Sequence, residues 1–104
     1  MTGKFVIEYN PDFYLDLVES IDWYNEQSDG LGDRFCESVK KQTAKLSTNA
    51  LLFAVRYGEI RCMRINRFPF MVHYRVNLQT KIVKIEALFH VSRDPKIWME
   101  RIEE

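Results

Sequence analysis

The chain has 104 residues, of which 46% are hydrophobic and 13% aromatic. That suffices for one domain with a real core and excludes a disordered or low-complexity chain. Basic and acidic residues number 15 each, so the net positive charge of an ordinary nucleic-acid binder is absent. No apolar run reaches the ~20 residues of a membrane span and "MTGKFVIEYN" has no apolar signal core, so a cytoplasmic protein without membrane contact is expected.

The neutral total hides two charged halves. Residues 1–30 carry one lysine against seven carboxylates, a net −6, and residues 56–84 carry seven cations against Glu59, a net +6. One half suits a cationic partner and the other an anionic one, unless the fold brings them together. Whether the basic stretch forms one patch depends on which sheet face each cation takes. Cys36 and Cys62 are too few for a disulfide framework and lack metal-ligand spacing. Two reduced, partly buried thiols are expected, with no metal and no cofactor.

"KFVIEY" over 4–9 alternates as a strand. "NPD" then starts a helix, with Asn10 as cap, Pro11 at the first helical position and Asp12 at the positive end of the dipole. Its apolar stripe is Phe13, Leu17, Ile21 and Tyr24, with Tyr14 and Val18 alongside. "SDG" breaks it, and a second helix over 31–47 shows Leu31, Phe35, Val39, Thr43 and Leu46 on one face. So short a break implies an antiparallel hairpin, and a hairpin turn explains Gly30 and Gly32 better than a phosphate loop, since no Lys-Ser/Thr pair follows.

After residue 47 the period changes to that of strands. A short strand is expected over 51–55 ("LLFAV"), then one over 59–66 with two mixed faces. Strong strands over 68–76 and 81–89 are joined by "NLQT", and the last presents a continuously apolar face of Val83, Ile85, Ala87 and Phe89. Asp94 and Pro95 begin a short terminal helix. The order β-α-α-β-β-β predicts one α+β domain, with a helix hairpin packed on an antiparallel sheet of four or five strands and a short C-terminal helix.

That order, with "WYNEQSDGLGDRF" (23–35), "RINRFPFMVHYRV" (64–76) and "LFHVSRDPKIW" (88–98), resembles the RelE/ParE family of type II toxin–antitoxin toxins. "GLGDRF" and the terminal "RDP" are closer to the ParE-like, plasmid-stabilisation branch than to the RelE-like one. The resemblance implies a small toxin neutralised by a cognate antitoxin that wraps it with a helix or strand. It also implies one of two targets, DNA gyrase or ribosome-bound mRNA. A second copy of the chain is a further expected partner. A decayed member, binding an antitoxin-like protein without toxicity, is the third reading.

RNA cleavage needs a base, an acid and cations at the scissile phosphate. Arg61, Arg64, His90 and Arg93 are the candidate catalytic set, and His73 and Tyr74 are further proton carriers by residue type. RelE-like interferases place an Arg after the aromatic that opens the central strand, whereas here Met71 follows Phe70. They also carry several lysines on the preceding strand, where this chain has Cys62, Met63 and Arg64. A gyrase poison needs a binding surface instead, and in ParE-like members the chain end contributes to it. Arg67, Arg75, Trp98 and Ile102 are the candidate partner-binding residues, with Arg67 expected on one rim with Arg93. The structural alternative folds Trp98 and Ile102 back onto the sheet and ties His90 to backbone near its strand end. His73 is expected on a solvated sheet face or a partner surface.

Overall fold

The computed structural model describes residues 4–102. Its elements are β1 (Val6–Tyr9), α1 (Pro11–Gln27), α2 (Leu31–Ala44), α3 (Leu46–Asn49), β2 (Val55–Tyr57), β3 (Ile60–Arg64), β4 (Phe70–Asn77), β5 (Ile82–His90) and α4 (Pro95–Arg101). Both Asx-Pro starts cap helices: the Asp12 N–H donates to Asn10 Oδ1 at 2.9 Å and the Lys96 N–H to Asp94 Oδ1 at 2.9 Å. The second helix closes earlier than its apolar pattern suggests. Lys45 N–H bonds Gln42 O, a tightened i−3 turn, and α3 then keeps Leu46 buried. The expected 51–55 strand is instead a pair of turns, with Leu51 and Leu52 exposed, and β2 begins at Val55. An unbroken apolar run has no face to bury as a strand unless both sides are covered.

The sheet order is β1-β5-β4-β3-β2. All pairings are antiparallel except β1 with β5, which is parallel, the long connection between them running through the helix hairpin and three strands. α1 and α2 cover one face over Met63, Ile65, Val72, Tyr74, Val83, Ile85 and Leu88. Phe13, Leu17, Phe35 and Val39 of the predicted stripes lie in this core, whereas Tyr14 and Val18 are exposed. A second, smaller core lies on the opposite face, where Trp98 and Ile102 pack on Ile60, Met71, Ala87 and Phe89. That explains the mixed pattern of β3, in which Ile60 faces the second core while Met63 and Ile65 face the first.

β5 does not keep one apolar face. Tyr74 pairs with Ile85 and His73 with Ala87, so Glu86 is an extra residue and the alternation flips across it. Val83 and Ile85 point to the helix hairpin, while Ala87 and Phe89 belong to the second core. Glu86 is 8% exposed and is held by Arg75 Nε at 2.8 Å and Asn10 Nδ2 at 2.9 Å.

Candidate functional site: a groove between α1 and the end of β5

β1 pairs with β5 only as far as Ile85, so the outer edge of 86–90 has no strand neighbour. α1 crosses this edge. Asp16 Oδ2 accepts the Leu88 N–H at 3.0 Å and receives Arg101 Nη2 at 2.7 Å, and Arg101 Nε lies 3.7 Å from Asp12 Oδ2. The acidic start of the chain is thus partly neutralised by α4, and one edge donor is satisfied by a carboxylate. Asp16→Ala should cost about 2 kcal/mol in urea unfolding, because the Leu88 N–H and Arg101 both lose a partner. Asp16→Asn, which keeps an acceptor, should cost about half as much.

Above this contact opens a groove of about 460 Å³. Trp23, Tyr24, Pro69, Phe70 and Leu88 form its apolar walls, with Asp16, Glu19 and Ser20 on the α1 side and His90 and Arg93 on the other. Trp23 is 55% exposed and lies edge-on to Tyr24, with ring centroids 5.1 Å apart. Sequence reading assigned Trp23 and Glu19 no role. The available signal was a large aromatic lying off the Phe13–Leu17–Tyr24 stripe.

His90 and Arg93 therefore share a site, but the remaining candidates do not join them. His90 Nδ1 accepts the Ser92 N–H at 3.0 Å and meets Ser92 Oγ at 2.8 Å, and its ring packs edge-on to Phe70. The imidazole is thus bonded to the backbone N–H and hydroxyl of a residue two positions on, not to a backbone carbonyl. Arg93 lies over the Phe89 ring at 5.3 Å. Arg61 and Arg64 are three residues apart on β3 and so take opposite faces. Arg61 donates to Phe53 O on the hairpin side, and Arg64 is exposed. Arg67 lines a different groove, with Arg34 and Lys41, so it shares no rim with Arg93. Arg75 is ion-paired with Glu86. Trp98 and Ile102, each 7% exposed, are second-core residues and present no surface to a partner in this conformation. The +6 stretch accordingly forms no single patch, with Arg56 over Trp98, Arg61, Arg75 and Lys84 lining one groove and Arg67 another.

His73 is fully buried, contrary to the solvated or partner-facing position expected of it. It sits under α4 because β4 alternation places it with Met71 on the second-core face. Its Nδ1 meets Tyr57 Oη at 2.9 Å and Cys62 Sγ at 3.5 Å, between the Phe89 and Trp98 rings. Burial lowers its pKa to about 4, helped by the Arg56 guanidinium, and burial pushes the Cys62 thiol up to about 11. The Tyr74 hydroxyl donates to Ala50 O at 2.7 Å, and burial raises its pKa to about 12. All three groups are neutral near pH 7 and occupied by the fold. Among the described residues no cluster of His, Cys, Asp and Glu is placed to hold a metal, and no helix is long and apolar enough to cross a membrane.

No family model and no curated protein matches the chain. Solved structures do match it. The chromosomal ParDE toxin–antitoxin system from P. aeruginosa aligns with a TM-score of 0.75 at 19% identity, over 88% of this chain and 100% of that one. The RelBE2 toxin–antitoxin complex from Mycobacterium tuberculosis aligns at 0.63 and 17% identity, over 84% and 98%. A mutant of E. coli toxin RelE in the free state aligns at 0.62 and 10% identity, over 94% of each chain. The chain has the RelE/ParE-like toxin fold.

Proposed function

We propose that this protein is the toxin of a type II toxin–antitoxin pair, ParE-like in action, which binds and poisons DNA gyrase and is neutralised by a cognate antitoxin. The fold shared with the ParDE system supports the toxin reading. The choice of binding over catalysis rests on one observation: the cations and proton carriers needed for RNA cleavage are not assembled. Arg61 and Arg64 lie on opposite sheet faces, His73 and Tyr74 are buried and bonded, and His90 is engaged by Ser92. The α1–β5 groove instead combines aromatic walls with carboxylates on one side and Arg93 on the other. That chemistry fits an apolar anchor flanked by charges on the antitoxin.

Induction in bacteria should arrest growth, with relief by the small protein encoded next to it. Purified protein should inhibit gyrase supercoiling and leave translated messages uncut. Message cleavage that requires ribosomes, abolished by His90→Ala or Arg93→Ala, would replace this reading with the interferase one. Trp23→Ala should weaken antitoxin binding at least about ten-fold while leaving unfolding nearly unchanged, because the ring is half exposed. Calorimetric titration against the antitoxin checks it.

A further inference from the structure

The groove that holds Arg67 has a chemistry of its own. Arg34, Ser38 and Lys41 follow one another along the exposed face of α2, and Arg67 joins them from the β3–β4 loop, around a space of about 580 Å³. Two features hold the loop there. Gln42 donates from Nε2 to Arg64 O at 2.9 Å and accepts the Asn66 N–H on Oε1 at 2.6 Å. Arg67 itself adopts φ 71, a left-handed conformation that disfavours a long side chain and is maintained by the surrounding contacts. Among the described residues no ion pair engages Arg34, Lys41 or Arg67. Glu37 is the carboxylate on this wall.

The geometry points to a contact surface for the phosphate backbone of duplex DNA. Arg34 and Lys41 are separated by two helical turns, about 10 Å, a spacing that lets their flexible side chains reach neighbouring phosphates of one strand. Ser38 lies between them, its hydroxyl directed to Gln42 Oε1 at 3.5 Å, so the two cations are the phosphate-binding groups of this helix face. The surface lacks what other partners need. A protein hot spot requires a buried aromatic anchor in an apolar pocket, and single-stranded nucleic acid requires a free aromatic stacking platform. The aromatic here, Phe68, is already packed against the Tyr24 and Phe35 rings at 5.2 and 5.0 Å. Backbone contact carries no base sequence, so binding is weak and sequence-independent. This surface is separate from the α1–β5 groove and does not depend on the toxin reading.

Fluorescence anisotropy of the full chain with a labelled mixed-sequence DNA duplex tests it. Three phosphate contacts give a slope of about −3 in log affinity against log salt, so affinity falls about forty-fold between 50 and 200 mM salt. Lys41→Ala and Arg67→Gly should each reduce that slope by about 1. Glycine suits φ 71, so the second variant removes the cation while relaxing the loop. Glu37→Gln should strengthen binding several-fold, and Arg93→Ala should leave it unchanged. Failure to bind duplex at 50 mM salt would overturn the inference. So would a slope unmoved by Lys41→Ala and Arg67→Gly, or tighter binding of a single-stranded oligonucleotide or an acidic peptide.

Discussion

Gly32→Ala is expected to destabilise the fold by about 3 kcal/mol, although glycine-to-alanine in a helix normally adds about 1 kcal/mol. The reversal comes from the hairpin. A Cβ at Gly32 would lie 2.2 Å from Ile21 O and 2.7 Å from Asn25 Cγ, so the α1 backbone itself would have to move. That movement would also strain the bond from Gly32 N–H to Asn25 Oδ1, now 2.8 Å. Gly30, two residues earlier, is the internal control. It has φ 81, and an added Cβ there meets nothing within 4 Å, so Gly30→Ala should cost only the backbone preference, about 1 kcal/mol. Urea unfolding of the two variants separates crowding from conformation, and the Gly32 variant should melt at least ~12 °C lower. Equal losses would mean that the close helix approach does not govern this site.

Acidification from pH 7 to pH 4 should remove about 3 kcal/mol of stability through His73 alone. The folded-state pKa is lowered to about 4 by burial, with Arg56 adding to the effect, against an ordinary value of 6.5. Between these values the unfolded chain binds the proton and the folded chain does not. Stability is therefore complete above about pH 6.5, falls as pH drops toward 4, and levels off below. The groups around the ring are Tyr57, Cys62, Phe89 and Trp98, and none supplies a carboxylate to hold an imidazolium. Carboxylates in general also change charge on acidification, so the comparison is with His73→Gln, which retains every other group. The wild type should lose about 3 kcal/mol more than the variant between pH 7 and 4. Parallel curves would show that His73 tolerates its charge.

Local chemistry was legible wherever it acts on neighbours in the chain. Asn10-Pro11-Asp12 and Asp94-Pro95 start helices because the cap and the fixed φ operate within three residues. The stripe of Phe35, Val39, Thr43 and Leu46 is buried as its spacing requires. The exceptions are instructive. "LLFAV" looks like a strand in composition, yet its leucines face solvent in turns. Ile85 and Ala87, two apart, take opposite faces because Glu86 is inserted against β4. A bulge is a relation between two strands, and no pattern within one of them encodes it.

The candidate site divides along the same line. His90 and Arg93 were candidates in sequence, and a separation of only three residues keeps them together. Trp23 and Glu19 join them only because α1 crosses the unpaired edge of β5. Trp98 and Ile102 read either as partner surface or as folded back on the sheet, and α4 takes the second course on the face opposite the helix hairpin, which makes them and His73 interior. The sequence by itself determined the element order, the helix starts, the α+β class and the resemblance to the toxin family, since propensity, capping and periodicity act over a few residues. Only the tertiary structure decided which cations share a surface. Strand alternation puts Arg61 and Arg64 on opposite faces once β3 is in the sheet, and the Gln42 bonds to Arg64 O and the Asn66 N–H bring Arg67 beside Arg34 and Lys41.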